Sequence, residues 1–364
     1  MPTTTTLAAT VGTSTIAPVA QPSTEAGWMR NRPFDVHFVW TTSLLALAAG
    51  LAGLVEPRLF AVVLAIDVWA LGYHHVVSTF TRLTFDRESF GRYRNLVIQL
   101  PIAVTVITLA AVISCGYWVL PTVYLYWQWF HYTRQSYGIE RIYRRKAGAT
   151  VRIDDYLTVR TLYLLPLAGI LYRSYQGQAR FLDMEIWYLP IRWPVLAAVA
   201  GVTGVAMAAW CYQIFRAWME KRLAVPHTLY VLSHHLIFLT GYILIEDITV
   251  GWLVLNVWHN IQYILLVWLY NNNRFRKGID QQAPFLSTLS QTRNVLFYFG
   301  FCLAISTAVY AVLRHATHAA SMGSAIPVTL IVFMIINFHH YVVDGIIWKG
   351  RTQAARNNLG QQPA

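Results

Sequence analysis

Apolar runs of about twenty residues recur along most of this sequence, separated by short connections. Such a chain cannot hide its apolar surface from water. In a bilayer each run can close its own backbone hydrogen bonds as a helix and leave its side chains in hydrocarbon. Ten runs are read, at about 36–55, 59–80, 96–116, 118–138, 159–175, 190–216, 227–246, 250–270, 294–314 and 324–348. A tight link around Gly116 and Pro121 joins the third to the fourth; the fifth is the weakest, being short, holding Pro166 and ending on Arg173. The expected fold is an all-α polytopic bundle of about ten transmembrane helices. A hydrophobic share of 56% against 12% charged residues agrees with that class.

A formal charge of +12 would ordinarily suggest nucleic acid, but the basic residues fall between the apolar runs. Every second connection is basic: Arg82 to Arg94 after the second run, Arg141 to Arg152 after the fourth, Lys221 and Arg222 after the sixth, Arg274 to Lys277 after the eighth, and Lys349 to Arg356 after the tenth. The positive-inside bias then puts both termini in the cytoplasm and the chain in a bacterial inner membrane, with no nucleic-acid partner. Residues 1–27, rich in Thr, Ala and Pro, lack the charged start and apolar core of a signal peptide and read as a disordered tail. The transmembrane domain is expected over 28–349, with a cytoplasmic tail at 350–364. Cys115, Cys211 and Cys302 have neither zinc-finger nor redox spacing.

This topology assigns a depth to each histidine. His74 and His75 in the second span, His131 in the fourth, His234 and His235 in the seventh, His259 in the eighth, and His339 and His340 in the tenth all fall in one layer. That layer lies about 10–15 Å below the cytoplasmic surface at 1.5 Å per residue. His315 and His318 fall on the other side, and His37 and His227 at the cytoplasmic edge. Helical periodicity puts most of these on polar stripes: Asn337, His340, Asp344 and Trp348; Asn256, His259, Asn260 and Tyr263; Tyr124, Gln128, His131 and Gln135; Asp67, His74 and Ser78; His227, Tyr230 and His234. Ionisable groups in hydrocarbon are costly unless they face a bundle interior and find partners, so these stripes should converge.

Neutral imidazole is a good ligand for iron, copper and zinc. The eight histidines are therefore the expected metal ligands, with Asp344 as ligand or orienting acid and Asp67 as proton carrier or hydrogen-bond partner. Gln128, Gln135, Asn260 and Asn337 would support the ligands from behind. A membrane-embedded set of eight histidines open to the cytoplasm resembles the non-haem di-iron desaturases, hydroxylases and alkane monooxygenases. The resemblance lies in composition and placement, because no HxxxH or HxxHH box occurs in the chain. Membrane retinal-forming dioxygenases are similar in their intramembrane histidines. The resemblance implies two iron ions, with copper or zinc as alternatives, in oxygen-dependent hydroxylation, desaturation or cleavage of a lipid or amphiphilic substrate. With no dinucleotide fingerprint and no iron–sulfur cysteine cluster, the electrons would come from a cytoplasmic ferredoxin or flavoprotein reductase. Two other classes fit the same residues: a haem b electron-transfer protein with one histidine on each of two helices, and a metal or proton transporter using the histidines as a relay.

Overall fold

A computed structural model describes residues 27–148, 153–322, 326–348 and 357–359. The segments read as tails lie outside this set, apart from Gly27 and 357–359. Among the described residues the regular structure is helical except for one short hairpin, in which β1 (Arg180–Phe181) pairs antiparallel with β2 (Met184–Glu185) across Leu182 and Asp183, both at positive φ.

Two of the long helices are interrupted by π-helical turns. The first runs as α1 (Arg32–Val36), a π turn His37–Thr41, and α2 (Thr42–Val55); the second as α3 (Pro57–Ile66), a π turn Asp67–Tyr73, and α4 (His74–Leu83). Next in order come α5 (Arg87–Cys115), α6 (Val119–Ala147), α7 (Asp155–Gln176), α8 (Trp193–Met219) and α9 (Val225–Leu239), the last continuing into a π turn Thr240–Leu244. Beyond them lie α10 (Ile248–Arg274), the short α11 (Pro284–Leu289), α12 (Val295–Ser321) and α13 (Val328–Ile347).

The helix starts are written in the sequence. Asn31, Glu56, Asp86, Asp154 and Asp247 each accept a backbone N–H from the first turn of the helix they precede, which satisfies donors the helix itself cannot. Gly116 at φ 93 ends α5, and α6 starts three residues on, the tight link expected from the sequence.

Among the described residues, seven helices are long and apolar enough to cross a bilayer: Arg32–Val55, Pro57–Leu83, Arg87–Cys115, Trp193–Met219, Ile248–Arg274, Thr292–Ser321 and Val328–Ile347. They correspond to seven of the ten expected spans, and the chain is a multi-pass membrane protein. The other three expectations coincide with α6, α7 and the helix from Val225 to Leu244, which are not among these seven. Helix α7 is unbroken over 22 residues, about 33 Å. Its Arg173 is buried and turned inward, donating to the carbonyls of Gly241, Ile245 and Glu246 that end the last π turn.

Helix α10 is the axis of the bundle, with 89% of its apolar window buried against 17% for α5 and for α8. The outer helices instead display large apolar side chains, among them Ile107 and Ile113 on α5, Val202 and Val205 on α8, and Leu296 and Val312 on α12. An apolar surface of this extent suits lipid rather than water. Close approach to the axis depends on glycine. A Cβ on Gly251 would lie 2.0 Å from the Gly241 carbonyl oxygen, so no other residue fits where the π turn crosses α10.

Candidate metal centre

Helices α4, α6, α10 and α13 meet around a buried group of imidazoles. One donor atom each from His75, His131, His340 and Asp344 lies within 4.8 Å of all the others. The four residues are between 3% and 7% exposed. The Nε2 atoms of His75 and His340 face each other at 2.6 Å; Asp344 Oδ2 lies 3.2 Å from His340 Nε2 and 3.9 Å from His131 Nε2. Buried His131 Nε2 has no hydrogen-bond partner among the described residues. Around a metal ion with bonds of about 2.1 Å, neighbouring donors stand about 3.0–3.4 Å apart. Holding one ion would therefore require the His75–His340 pair, at 2.6 Å, to open and the His131–Asp344 pair, at 3.9 Å, to close toward that spacing.

Aromatic stacking and one hydroxyl fix these ligands. The Tyr263 ring stacks on His75 at 4.0 Å and its hydroxyl donates to Asp344 Oδ1 at 2.6 Å, which leaves Oδ2 for the centre. The same hydroxyl receives hydrogen bonds from Thr79 at 2.7 Å and from Trp348 Nε1 at 3.2 Å, so it is fully used. Tyr341 stacks on His131 at 4.3 Å. His259 stands beside the four, its ring centroid 4.8 Å from those of both His75 and His131 and 4.2 Å from Tyr132.

Asp67 lies apart from these donors, in a hydrogen-bonded chain. Asn256 Nδ2 donates to its Oδ2 at 2.5 Å and Asn260 Nδ2 to its Oδ1 at 3.3 Å. Tyr132 donates to Asn256 Oδ1 at 2.5 Å, Gln128 donates to Tyr132 and to Tyr124, and Trp252 Nε1 donates to Gln128 Oε1 at 2.6 Å. Apart from the Gln128 bond to Tyr124, the donors of this wire run toward the Asp67 carboxylate. Gln135 donates to the His259 carbonyl at 3.2 Å, whereas Asn337 only bonds Phe333 O in its own helix.

The remaining histidines of the expected layer are elsewhere. His74 packs its ring against Phe299; His339 Nε2 bonds the Leu96 carbonyl at 2.8 Å; His234 Nε2 bonds the Leu162 carbonyl at 3.0 Å; His235 lies edge-on to Trp210. His227, near the start of α9, pairs with fully buried Glu140 at 2.8 Å.

The π turn explains why His75 and not His74 turns inward. In an uninterrupted α-helix the residue on the face of Asp67 is seven positions on, at His74. A π turn takes up one extra residue and rotates the rest of the helix by about 100°, which brings the eighth position, His75, to that face. Tyr263 and Trp348, which share the stripes of His259 and Asp344, belong to the centre, and so does Thr79, four residues beyond His75, where the sequence stripe pointed to Ser78 instead. Three neutral imidazoles and a carboxylate form a mixed nitrogen and oxygen donor set suited to a divalent transition ion. No family model matches this sequence, and no match was found among curated proteins or solved structures.

Proposed function

We propose that the chain is a metal-dependent membrane oxidoreductase in which His75, His131, His340 and Asp344 hold one ferrous ion and dioxygen is used to oxidise an apolar or amphiphilic substrate. The observation that carries this is the convergence of lone pairs. Three Nε2 atoms and one carboxylate oxygen crowd together, and one cation would satisfy all of them at once. Imidazole and carboxylate together suit Fe(II), with copper and zinc as the next fits. Dioxygen is itself apolar and concentrates in hydrocarbon, whereas a site buried among Tyr263, Tyr341 and Tyr132 is poorly supplied with the water that hydrolysis consumes. His259 and the Asp67 wire flank the donors and would steer protons and hydrogen bonds rather than bind the ion.

Haem fits less well. Two axial imidazole nitrogens must stand about 4 Å apart, at two bonds of about 2.0 Å, with a flat macrocycle between them. His75 and His340 approach closer than that, and His131 and Asp344 fill the gap. The reading keeps the ten crossings, the cytoplasmic termini and a bacterial inner membrane, with a cytoplasmic ferredoxin or flavoprotein reductase as electron donor. In that arrangement α4, α6 and α10 are the second, fourth and eighth crossings, an even number apart, so all three run in the same direction with His75, His131 and His259 at a similar depth.

The test is nitric oxide binding to anaerobically purified protein. A stoichiometric iron content and a high-spin ferrous–nitrosyl EPR signal would support an ion with an open position for a diatomic gas. Stoichiometric zinc, or iron that gives no nitrosyl signal, would exclude dioxygen chemistry here.

A further inference from the structure

Arg82, one residue before the end of α4, is only 1% exposed. Its guanidinium sits in the corner between the Tyr270 and Trp348 rings, with Cζ 4.1 Å from each centroid and the two rings nearly perpendicular. Nη2 donates to the Ile347 carbonyl at 2.7 Å, which caps the end of α13. Nε and Nη1 are buried and meet no acceptor among the described residues. A guanidinium is always charged and carries five donors, so leaving those hydrogens unpaired away from water is costly.

The carboxylate of the metal centre does not meet this need. Asp344 is two side chains away, through the Trp348 Nε1 bond to Tyr263 and the Tyr263 bond to Asp344. The local charge is also unbalanced. A divalent ion and Arg82 contribute three positive charges against Asp344 and, at most, Asp67, the other buried acid beside the centre. Hydrocarbon does not tolerate such an excess unless an anion compensates it.

Resting on the metal-centre reading, we propose that Arg82 anchors the anionic head group, carboxylate or phosphate, of an amphiphilic substrate. Depth fits this role. Arg82 lies at the end of its helix, where head groups sit, and His75 is seven residues, about 10 Å, deeper on the same helix. An apolar tail held at Arg82 would therefore run inward to the level of the ion. Half-buried Trp348 lies against the guanidinium.

Equilibrium binding of radiolabelled palmitate, lysophosphatidate and methyl palmitate to the detergent-purified full chain tests this, with iron measured on the same samples. At least one acid should bind saturably and more than tenfold tighter than the ester, and Arg82→Gln should erase that preference while keeping its iron. Preference for palmitate alone assigns a carboxylate, and preference for lysophosphatidate alone a phosphate. Equal binding of acids and ester to the wild-type protein overturns the proposal without any variant, as does an acid preference that survives Arg82→Gln. Acid preference in protein that binds no iron would leave the anchor standing and remove only the metal-centre reading.

Discussion

The Nε2 atoms of His75 and His340 face each other at 2.6 Å although 265 residues separate them in sequence. Two imidazoles at that distance can share one proton or one metal ion. Adding His131 and Asp344 around the same point favours the ion, because three lone pairs and a negative charge exceed what a single proton satisfies. Replacing His131 by Ala should therefore lower metal affinity by far more than tenfold with the helical content unchanged. Metal competition against a chelator and circular dichroism, run side by side, check both halves.

Tyr263 binds no ion in this account but orients two ligands, one by stacking and one by hydrogen bond. Tyr263→Phe keeps the stacking and loses the bond to Asp344. Removing such an outer partner typically costs 10–100-fold in metal affinity. That range is expected here, read by the same competition assay, with the melting temperature shifted little.

The Asp67 wire predicts a stability effect separate from metal binding. In Asp67→Asn the new amide faces the Asn256 and Asn260 amides, so at least one buried donor loses its acceptor. A loss of about 1–3 kcal/mol is expected, seen as a lower thermal midpoint in detergent with metal content maintained.

Helix α10 crosses the π turn at Gly251, where a methyl group would overlap the Gly241 carbonyl. Gly251→Ala should prevent folding or destabilise the protein by more than about 3 kcal/mol, beyond ordinary overpacking. Gly204→Ala on α8, where nothing lies within 4 Å, should be neutral. Size-exclusion profiles of the two purified variants distinguish these outcomes.

A pH effect is expected at the loop joining α4 to α5. Burial alone would raise the Asp86 carboxyl, but hydrogen bonds from Arg274 and Ser89 outweigh it and hold it below its ordinary 3.8. Because the folded value is the lower one, this contribution is fully present above about pH 4 and is lost as pH falls through the folded value. Asp86→Asn, which keeps the helix cap, should melt below wild type at pH 7, and the gap should close in acid.

Much of the centre could be read from the sequence where helices are regular. On α10 the stripe Asn256, His259, Asn260 and Tyr263 faces the site over an uninterrupted helix, and on α13 the spacing of His340 and Asp344 does the same. On α4 the pattern pointed to His74, because a π turn leaves no mark in apolar periodicity and shifts the face by one residue. The α9 pair, His234 and His235, illustrates a second limit. Alternating crossings give a residue its depth but not its position around the bundle, and this pair meets α7 and α8 rather than the cluster. Arg82 belongs to a basic connection by sequence; only packing reveals that it turns inward.

The convergence of His75, His131, His340 and Asp344 on a single ion is tested most directly by iron stoichiometry in three proteins purified together: wild type, His340→Ala, and the double variant His234→Ala/His235→Ala. The account predicts one iron per chain in the wild type and in the double variant, and none in His340→Ala. Iron retained in His340→Ala, or lost from the double variant, would contradict it.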